Sequence, residues 1–287
     1  MTDRTLLIDG VRVPRFLYGT AWKEQVSQRL TELALEQGFR GIDTANQRRH
    51  YHEAAVGRAI AASIERGLLS RNELFVQTKF TFRQGQDHRL PYDVGAPIAL
   101  QVQQSFASSL EHLGIEVIDS YLLHGPMMRS GLTSADWAAW HAIEAIHDSG
   151  RARLIGVSNF SLEQLDELCR KARVRPRFVQ NRCYAATGWD RRMRAFCAAN
   201  NLVYQGFSLL TANRQLLAHP ELTRIAQRHD RSIAQIIFRF ALEGGMIPLT
   251  GTTSAEHMIA DLKVFDFRLA AEEAERIEGL AANQAAD

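Results

Sequence analysis

Short apolar or β-branched runs alternate along this chain with stretches whose apolar residues recur every three or four positions. The short runs read as strands at Phe16–Gly19, Gly41–Thr44, Leu74–Lys79, Ile118–His124, Ala152–Ser158, Phe178–Tyr184, Leu202–Phe207 and Met246–Leu249. The stretches between them read as helices. VSQRLTELALEQG sets Val26, Leu30, Leu33 and Ala34 at helical spacing and ends on Gly38, and the stretches ending on Gly67, Gly114 and Gly150 repeat the pattern. Ser134 reads as an N-cap, and Ser161 with Gln164 three residues on reads as a capping box. DRRMRAFCAANN, SIAQIIFRFALEGG and SAEHMIADL supply the later helices.

Strands that alternate with helices predict a parallel sheet, and eight such units predict a closed (β/α)8 TIM barrel, here one domain over residues 1–287. The alternative is an open doubly wound sheet, but no GxGxxG supplies its dinucleotide-binding fingerprint. Ahead of the first barrel strand, LLIDGVRVP reads as a β-hairpin around Asp9-Gly10 that plugs one end of the barrel. LAAEEAERIEGLAAN, residues 269–283, reads as a final helix.

Composition narrows the partners. The formal net charge of +2 comes without an acidic or basic block, so neither nucleic acid nor a membrane is expected as the main partner. No apolar run reaches the roughly 18 residues of a membrane span. The first residues lack the apolar stretch of a signal peptide. Cys169, Cys183 and Cys197 fit no zinc spacing and read as free thiols of a reducing compartment, so a cytoplasmic location is expected and no metal is assigned. Lysine occurs only at positions 23, 79, 171 and 263, which makes each one easier to weigh.

In a barrel of this kind chemistry gathers at the C-terminal ends of the strands. Asp43 ends GID, Lys79 ends LFVQTK, His124 ends IDSYLLH, Asn159 follows LIGVS and Gln180 lies in FVQ. Singly, each has an ordinary structural explanation: a helix N-cap for the aspartate, a satisfied histidine, a lysine that snorkels out. Jointly they suggest more, because a lysine near a core is costly unless an aspartate offsets it. An Asp–Lys pair beside a tyrosine is a chemical device. An adjacent ammonium lowers the phenol pKa, and the tyrosine can then protonate a carbonyl oxygen as hydride reaches carbon. A neighbouring histidine can donate a hydrogen bond to the same oxygen.

These segments resemble the aldo-keto reductase family. FRGIDTANQRRHYHEAAVGRAI is similar to its Asp…Tyr segment, LFVQTKF to its lysine strand, LGIEVIDSYLLHGP to its histidine strand, GRARLIGVSNFS to its fifth-strand motif, RPRFVQNRCY to its glutamine strand and MIPLTGTTSAEHMIADLKVFDF to its cofactor segment. The resemblance runs from about Gly19 to Phe267. It implies an NAD(P)H-dependent oxidoreductase that reduces aldehyde or ketone carbonyls, with Tyr51 as general acid, Lys79 and Asp43 as its tuning pair and His124 orienting the carbonyl. It further implies cofactor binding by Thr20, Ser158, Asn159, Gln180, Phe207, Ser208, Leu209, Thr250, Gly251, Thr252 and His257, and substrate contacts from Trp22, His50 and Phe80. The partner is a small-molecule carbonyl compound and the expected state a monomer.

Three departures from the family pattern stand out. Tyr51 follows Asp43 by eight residues where the family has about five, yet it is the segment's only tyrosine. His257 and Leu249 stand where many members carry an arginine and a lysine for the adenosine 2′-phosphate, so NADPH is the expected cofactor with NADH as the alternative. The chain ends soon after its last helix, which implies an open pocket that the polar loop Thr81–Pro97 covers in part. Two other classes compete. One is a non-catalytic cofactor sensor or accessory subunit on the same barrel. The other is a metal-dependent barrel hydrolase, for which strand-end acids and imidazoles are too few.

Overall fold

The computed structural model describes residues 4–280. Two short strands open the chain, β1 (Thr5–Ile8) and β2 (Val11–Pro14), paired antiparallel with Ile8 opposite Val11. Their two-residue turn is Asp9-Gly10, both at positive φ (47° and 77°), the geometry that matches the twist of a hairpin.

The barrel follows. In chain order come β3 (Leu17–Gly19), α1 (Ser27–Glu36), β4 (Gly41–Asp43), α2 (Glu53–Glu65), β5 (Phe75–Phe80), α3 (Ile98–Leu113), β6 (Ile118–Leu123), α4 (Ser134–Asp148), β7 (Ala152–Ser158), α5 (Leu162–Lys171), β8 (Phe178–Arg182), α6 (Arg191–Ala199) and β9 (Val203–Phe207). The last portion holds α7 (Arg214–Leu217), α8 (Pro220–His229), α9 (Ile233–Glu243), β10 (Met246–Thr250), α10 (Ala255–Leu262) and α11 (Ala271–Gly279). Strands β3 to β10 pair in parallel and in sequence, and β10 returns to β3. The expected closed (β/α)8 barrel with an N-terminal hairpin is the observed architecture.

Burial explains the closure. The strand runs are buried almost throughout and mostly apolar because both sheet faces are covered. A large outer cluster packs helices onto strands through residues such as Tyr18, Val76, Trp140, Leu165 and Ile237. A smaller cluster joins Ile8, Val11 and Val13 of the hairpin to Leu17, Phe75, Leu122 and Phe178 near the N-terminal ends of the barrel strands. The hairpin therefore closes the bottom of the barrel, and the C-terminal ends stay free for a site.

Caps agree with the sequence in most places. Ser161 accepts from Gln164 in the expected box, and Gly67, Gly114 and Gly150 follow α2, α3 and α4 at positive φ. Three details differ. The N-cap of α4 is Thr133, whose hydroxyl accepts from the Asp136 amide, so Ser134 is already inside the helix. Helix α8 was not expected, although Pro220 at its start and buried Leu222, Ile225 and Ala226 at helical spacing carry its signal. The last helix is described only to Gly279, and residues 281–283 of the expected stretch lie outside the described residues.

Gly57 allows α2 and α3 to approach closely. A methyl group there would press on the His112 carbonyl and lie 2.8 Å from Leu113 Cα. Exposed helical Gly→Ala substitutions gain up to about 1 kcal/mol from propensity. Gly57→Ala is expected to reverse that sign and lose about 1–3 kcal/mol by overpacking, read from urea unfolding.

Candidate active site

Period-2 alternation in β5 turns Phe75, Gln77 and Lys79 to one face and Val76, Thr78 and Phe80 to the other. Lys79 is fully buried, and its Nζ donates to Asp43 Oδ1 at 2.7 Å, Asp43 Oδ2 at 2.8 Å and the Thr44 carbonyl at 2.8 Å. Its three protons are all used. Burial lowers the Lys79 pKa, and the charge and hydrogen bonds of Asp43 offset that.

A layer of amides completes the floor. Gln77 Nε2 and Gln180 Nε2 both donate to Asp43 Oδ1, at 2.7 and 2.9 Å. The same two groups donate to Gln205 Oε1 at 2.7 and 2.9 Å. Gln205 Nε2 and the Ser120 hydroxyl in turn donate to Gln77 Oε1. A carboxylate only accepts, so Asp43 fixes which way each amide points. Sequence reasoning missed Gln77, Ser120 and Gln205. Inward polar residues in an apolar strand become visible only as buried side chains that bond one another.

Tyr51 reaches this floor despite the longer loop. Residues 44–52 are pinned on several sides: Asn46 Nδ2 donates to the Ser105 carbonyl at 3.0 Å, Gln86 Nε2 to the Asn46 carbonyl at 2.9 Å, and the Tyr51 amide to the Gln47 carbonyl at 3.0 Å. The Tyr51 ring centroid lies 5.4 Å from Lys79 Nζ and 5.9 Å from the His124 ring. Its pKa runs against the sequence expectation. Burial raises it and the Asp43 charge adds to the rise. The Lys79 charge is already neutralised by Asp43, so desolvation prevails and Tyr51 stays a protonated donor. His124 is driven well below its usual value by burial and by the Lys79 charge, so its imidazole is neutral. The Thr81 hydroxyl sits 2.6 Å from His124 Nδ1.

These groups form one end of a cleft of about 550 Å³. Its walls include Asp43, Tyr51, His124, Ser158, Asn159, Gln180, Phe207, Ser208, Leu209, Thr250, Gly251, Thr252 and His257, thirteen of the residues expected at the site. Ser158 donates to the Gln180 carbonyl at 2.7 Å, and Asn159 Nδ2 donates to the His124 carbonyl at 2.8 Å. Asn159 and Ser208 hold positive φ, 58° and 57°, a cost that other contacts must sustain. The far end adds Ser232, Gln235 and Asp261. Burial raises Asp261 to about 6.

Other expected residues fall elsewhere. Phe80 faces away from the cleft and packs on Phe82 and Tyr92, because alternation from inward Lys79 turns it outward. Thr20 is buried and donates to the Asp43 carbonyl at 3.0 Å, while its neighbours Gly19 and Ala21 line the cleft. Trp22, at positive φ and 70% exposed, stacks on His50 at 3.8 Å beside Tyr51 and outside the cleft walls. Lys23 is one of the chain's few lysines and has no role expected from the sequence. It is buried, its Nζ donates to the Gly251 carbonyl at 2.6 Å, and burial lowers it to about 8. Among the described residues no group of three or more His, Cys, Asp or Glu is placed to hold a metal ion, and no helix is long and apolar enough to cross a membrane.

Comparison with known proteins decides the family. The model of the aldo/keto reductase family matches residues 17–282. The chain belongs to the aldo-keto reductase family. An uncharacterized oxidoreductase of Bacillus subtilis, YtbE, is 31% identical across 98% of this chain and 93% of its own length. The glyoxal reductase of the same organism is 28% identical with the same coverage. Among solved structures, an aldo-keto reductase of Bombyx mori in complex with NADP superposes with a TM-score of 0.82 at 26% identity, over 97% of this chain and 92% of that one. An aldo/keto reductase of Brucella melitensis gives 0.81 at 28% identity, over 96% and 98%. This aldo-keto reductase is an oxidoreductase by family, built around a buried ion pair.

Asp43→Asn leaves the Lys79 ammonium without its counter-charge. The substitution is expected to cost about 3–5 kcal/mol in urea unfolding at neutral pH, and Lys79→Met added to it is expected to recover part of that loss. Simple addition of the two single losses would contradict the pairing.

Proposed function

We propose that this aldo-keto reductase reduces the carbonyl of a small aldehyde or ketone to an alcohol. The observation that carries the proposal is the convergence of Tyr51, His124 and the Asp43–Lys79 pair in a cleft that also gathers Ser158, Asn159 and Gln180 at strand ends among apolar walls such as Phe207, Leu209 and Phe238. NADPH is the proposed cofactor, in keeping with the NADP held by the Bombyx mori relative, and NADH is the alternative.

The residues fit such a cofactor. Gln180 spends its amide nitrogen on Asp43 and Gln205, which leaves its Oε1 outside those bonds. Together with Ser158 and Asn159 it offers a polar patch for a carboxamide. Phe207 offers an aromatic face beside it. Thr250, Gly251 and Thr252 lead into α10 at the far end, where backbone N–H groups favour phosphate. When bound, the reduced nicotinamide supplies hydride to the carbonyl carbon.

The chain's own residues handle the oxygen. Tyr51, kept protonated by burial, gives its phenolic proton to the carbonyl oxygen as that oxygen gains charge. Neutral His124 donates a hydrogen bond to the same oxygen and orients the substrate. The tyrosinate left behind faces the Lys79 ammonium 5.4 Å from its ring. With Asp43 cancelling its charge, Lys79 does little for the tyrosinate, and proton transfer is driven by the negative charge that builds on the carbonyl oxygen. Trp22 and His50 are the proposed substrate contacts outside the cleft. The name of the glyoxal reductase relative agrees with a small carbonyl substrate.

Tyr51→Phe tests the assignment. Oxidation of reduced cofactor with a reactive aldehyde is expected to fall by about 10²–10⁴-fold, with quenching of tryptophan fluorescence by the dinucleotide unchanged. Near-normal turnover would contradict Tyr51 as the acid, and binding without turnover in the parent chain across a carbonyl panel would favour a cofactor sensor.

A further inference from the structure

His124 has two ring nitrogens and, being neutral, one proton. Which nitrogen holds it decides whether the ring offers the cleft a donor or an acceptor. Nδ1 lies 2.6 Å from Thr81 Oγ1, and Nε2 is the remaining nitrogen of a ring that lines the cleft. We propose that Thr81 is a positioning residue: its hydroxyl donates to His124 Nδ1 and thereby fixes the proton on Nε2.

Two observations set the direction. Thr81 is buried, 7% exposed, and Nδ1 is the single hydrogen-bond partner of its Oγ1 among the described residues. If the hydroxyl donates, its proton is satisfied and Nε2–H is left for an acceptor in the cleft. If it accepts from Nδ1–H, its own proton is buried without a partner, a state that folded proteins avoid. The hydroxyl is also held in place. The Thr81 carbonyl accepts from Tyr92 Oη at 2.8 Å and from Gln86 Nε2 at 3.4 Å, and that same Gln86 nitrogen ties the loop carrying Tyr51 through the Asn46 carbonyl. One segment beyond β5 therefore steadies both proposed contacts to the carbonyl oxygen.

The inference rests on the carbonyl-reducing reading for its kinetic consequence, but the tautomer is measurable without turnover. Nitrogen-15 NMR of the histidine rings at pH 8, with His124 identified by its loss in His124→Asn, reports the protonated nitrogen directly. The parent chain and Thr81→Ser are expected to show an unprotonated Nδ1 and a protonated Nε2. Thr81→Val keeps the methyl and removes the hydroxyl; it is expected to shift the ring toward the other tautomer and to lower kcat about 10-fold or more, with Thr81→Ser restoring most of it. If the valine variant does not fold, Thr81→Ala compared with Thr81→Ser makes the same contrast. An unchanged ring signature without the hydroxyl overturns the proposal, even if kcat falls, because the loss would then come from packing. A changed signature in a chain that reduces no carbonyl supports Thr81 and counts against the proposed function instead.

Discussion

A lysine ammonium with no exposed surface sits inside this barrel, and the arrangement above it depends on how its charge is met. Asp43 supplies two acceptors and the Thr44 carbonyl a third. Removing two ions from water costs several kcal/mol each unless geometry is good and the remaining lone pairs are filled. Here they are filled: Asp43 Oδ1 also accepts from Gln77 and Gln180, and Gln205 links those two amides. The ion pair thus organises a polar layer that an apolar barrel interior would not otherwise hold. Above it the cleft opens, and below it the hairpin closes the apolar end.

The layer transmits order to the proposed chemistry. Gln180 is fixed from below, so its carboxamide oxygen is available to a ligand. Tyr51 and His124 stand over the pair in surroundings dry enough to keep one protonated and the other neutral. Both can then donate to a single oxygen in the proposed reaction. Because Asp43 cancels the Lys79 charge, burial governs Tyr51, and it gives up its proton only as negative charge builds on the carbonyl oxygen in the proposed reaction.

Much of this was legible in the sequence because barrels put chemistry at strand ends. Asp43, Lys79 and His124 each close an apolar run, and Tyr51 is the only tyrosine in the segment that follows Asp43. The unusual separation of Asp43 and Tyr51 is absorbed by a loop held through Asn46, Gln47 and Gln86, contacts that no local pattern foretells. Gln77, Ser120 and Gln205 escaped notice because a polar residue in a strand looks the same whether it faces a neighbour or water. Phe80 was misplaced for a reason the sequence did contain: with Lys79 turned inward, alternation turns Phe80 outward. Helix α8 was passed over in a segment where charge is dense, although its apolar spacing is regular. The direction of the Tyr51 pKa was misjudged because the sequence exposes the partner charges but not the burial that outweighs them.

The central claim is that one end of the cleft is a carbonyl-reducing centre assembled over the Lys79–Asp43 pair. A crystal structure of the chain soaked with oxidised nicotinamide dinucleotide tests it most directly. The account predicts the nicotinamide ring against Phe207, its carboxamide on Ser158, Asn159 and Gln180, and the reactive ring carbon beside Tyr51 Oη and His124 Nε2. A dinucleotide bound with its nicotinamide away from Tyr51, or a Tyr51 hydroxyl turned out of the cleft, would contradict it.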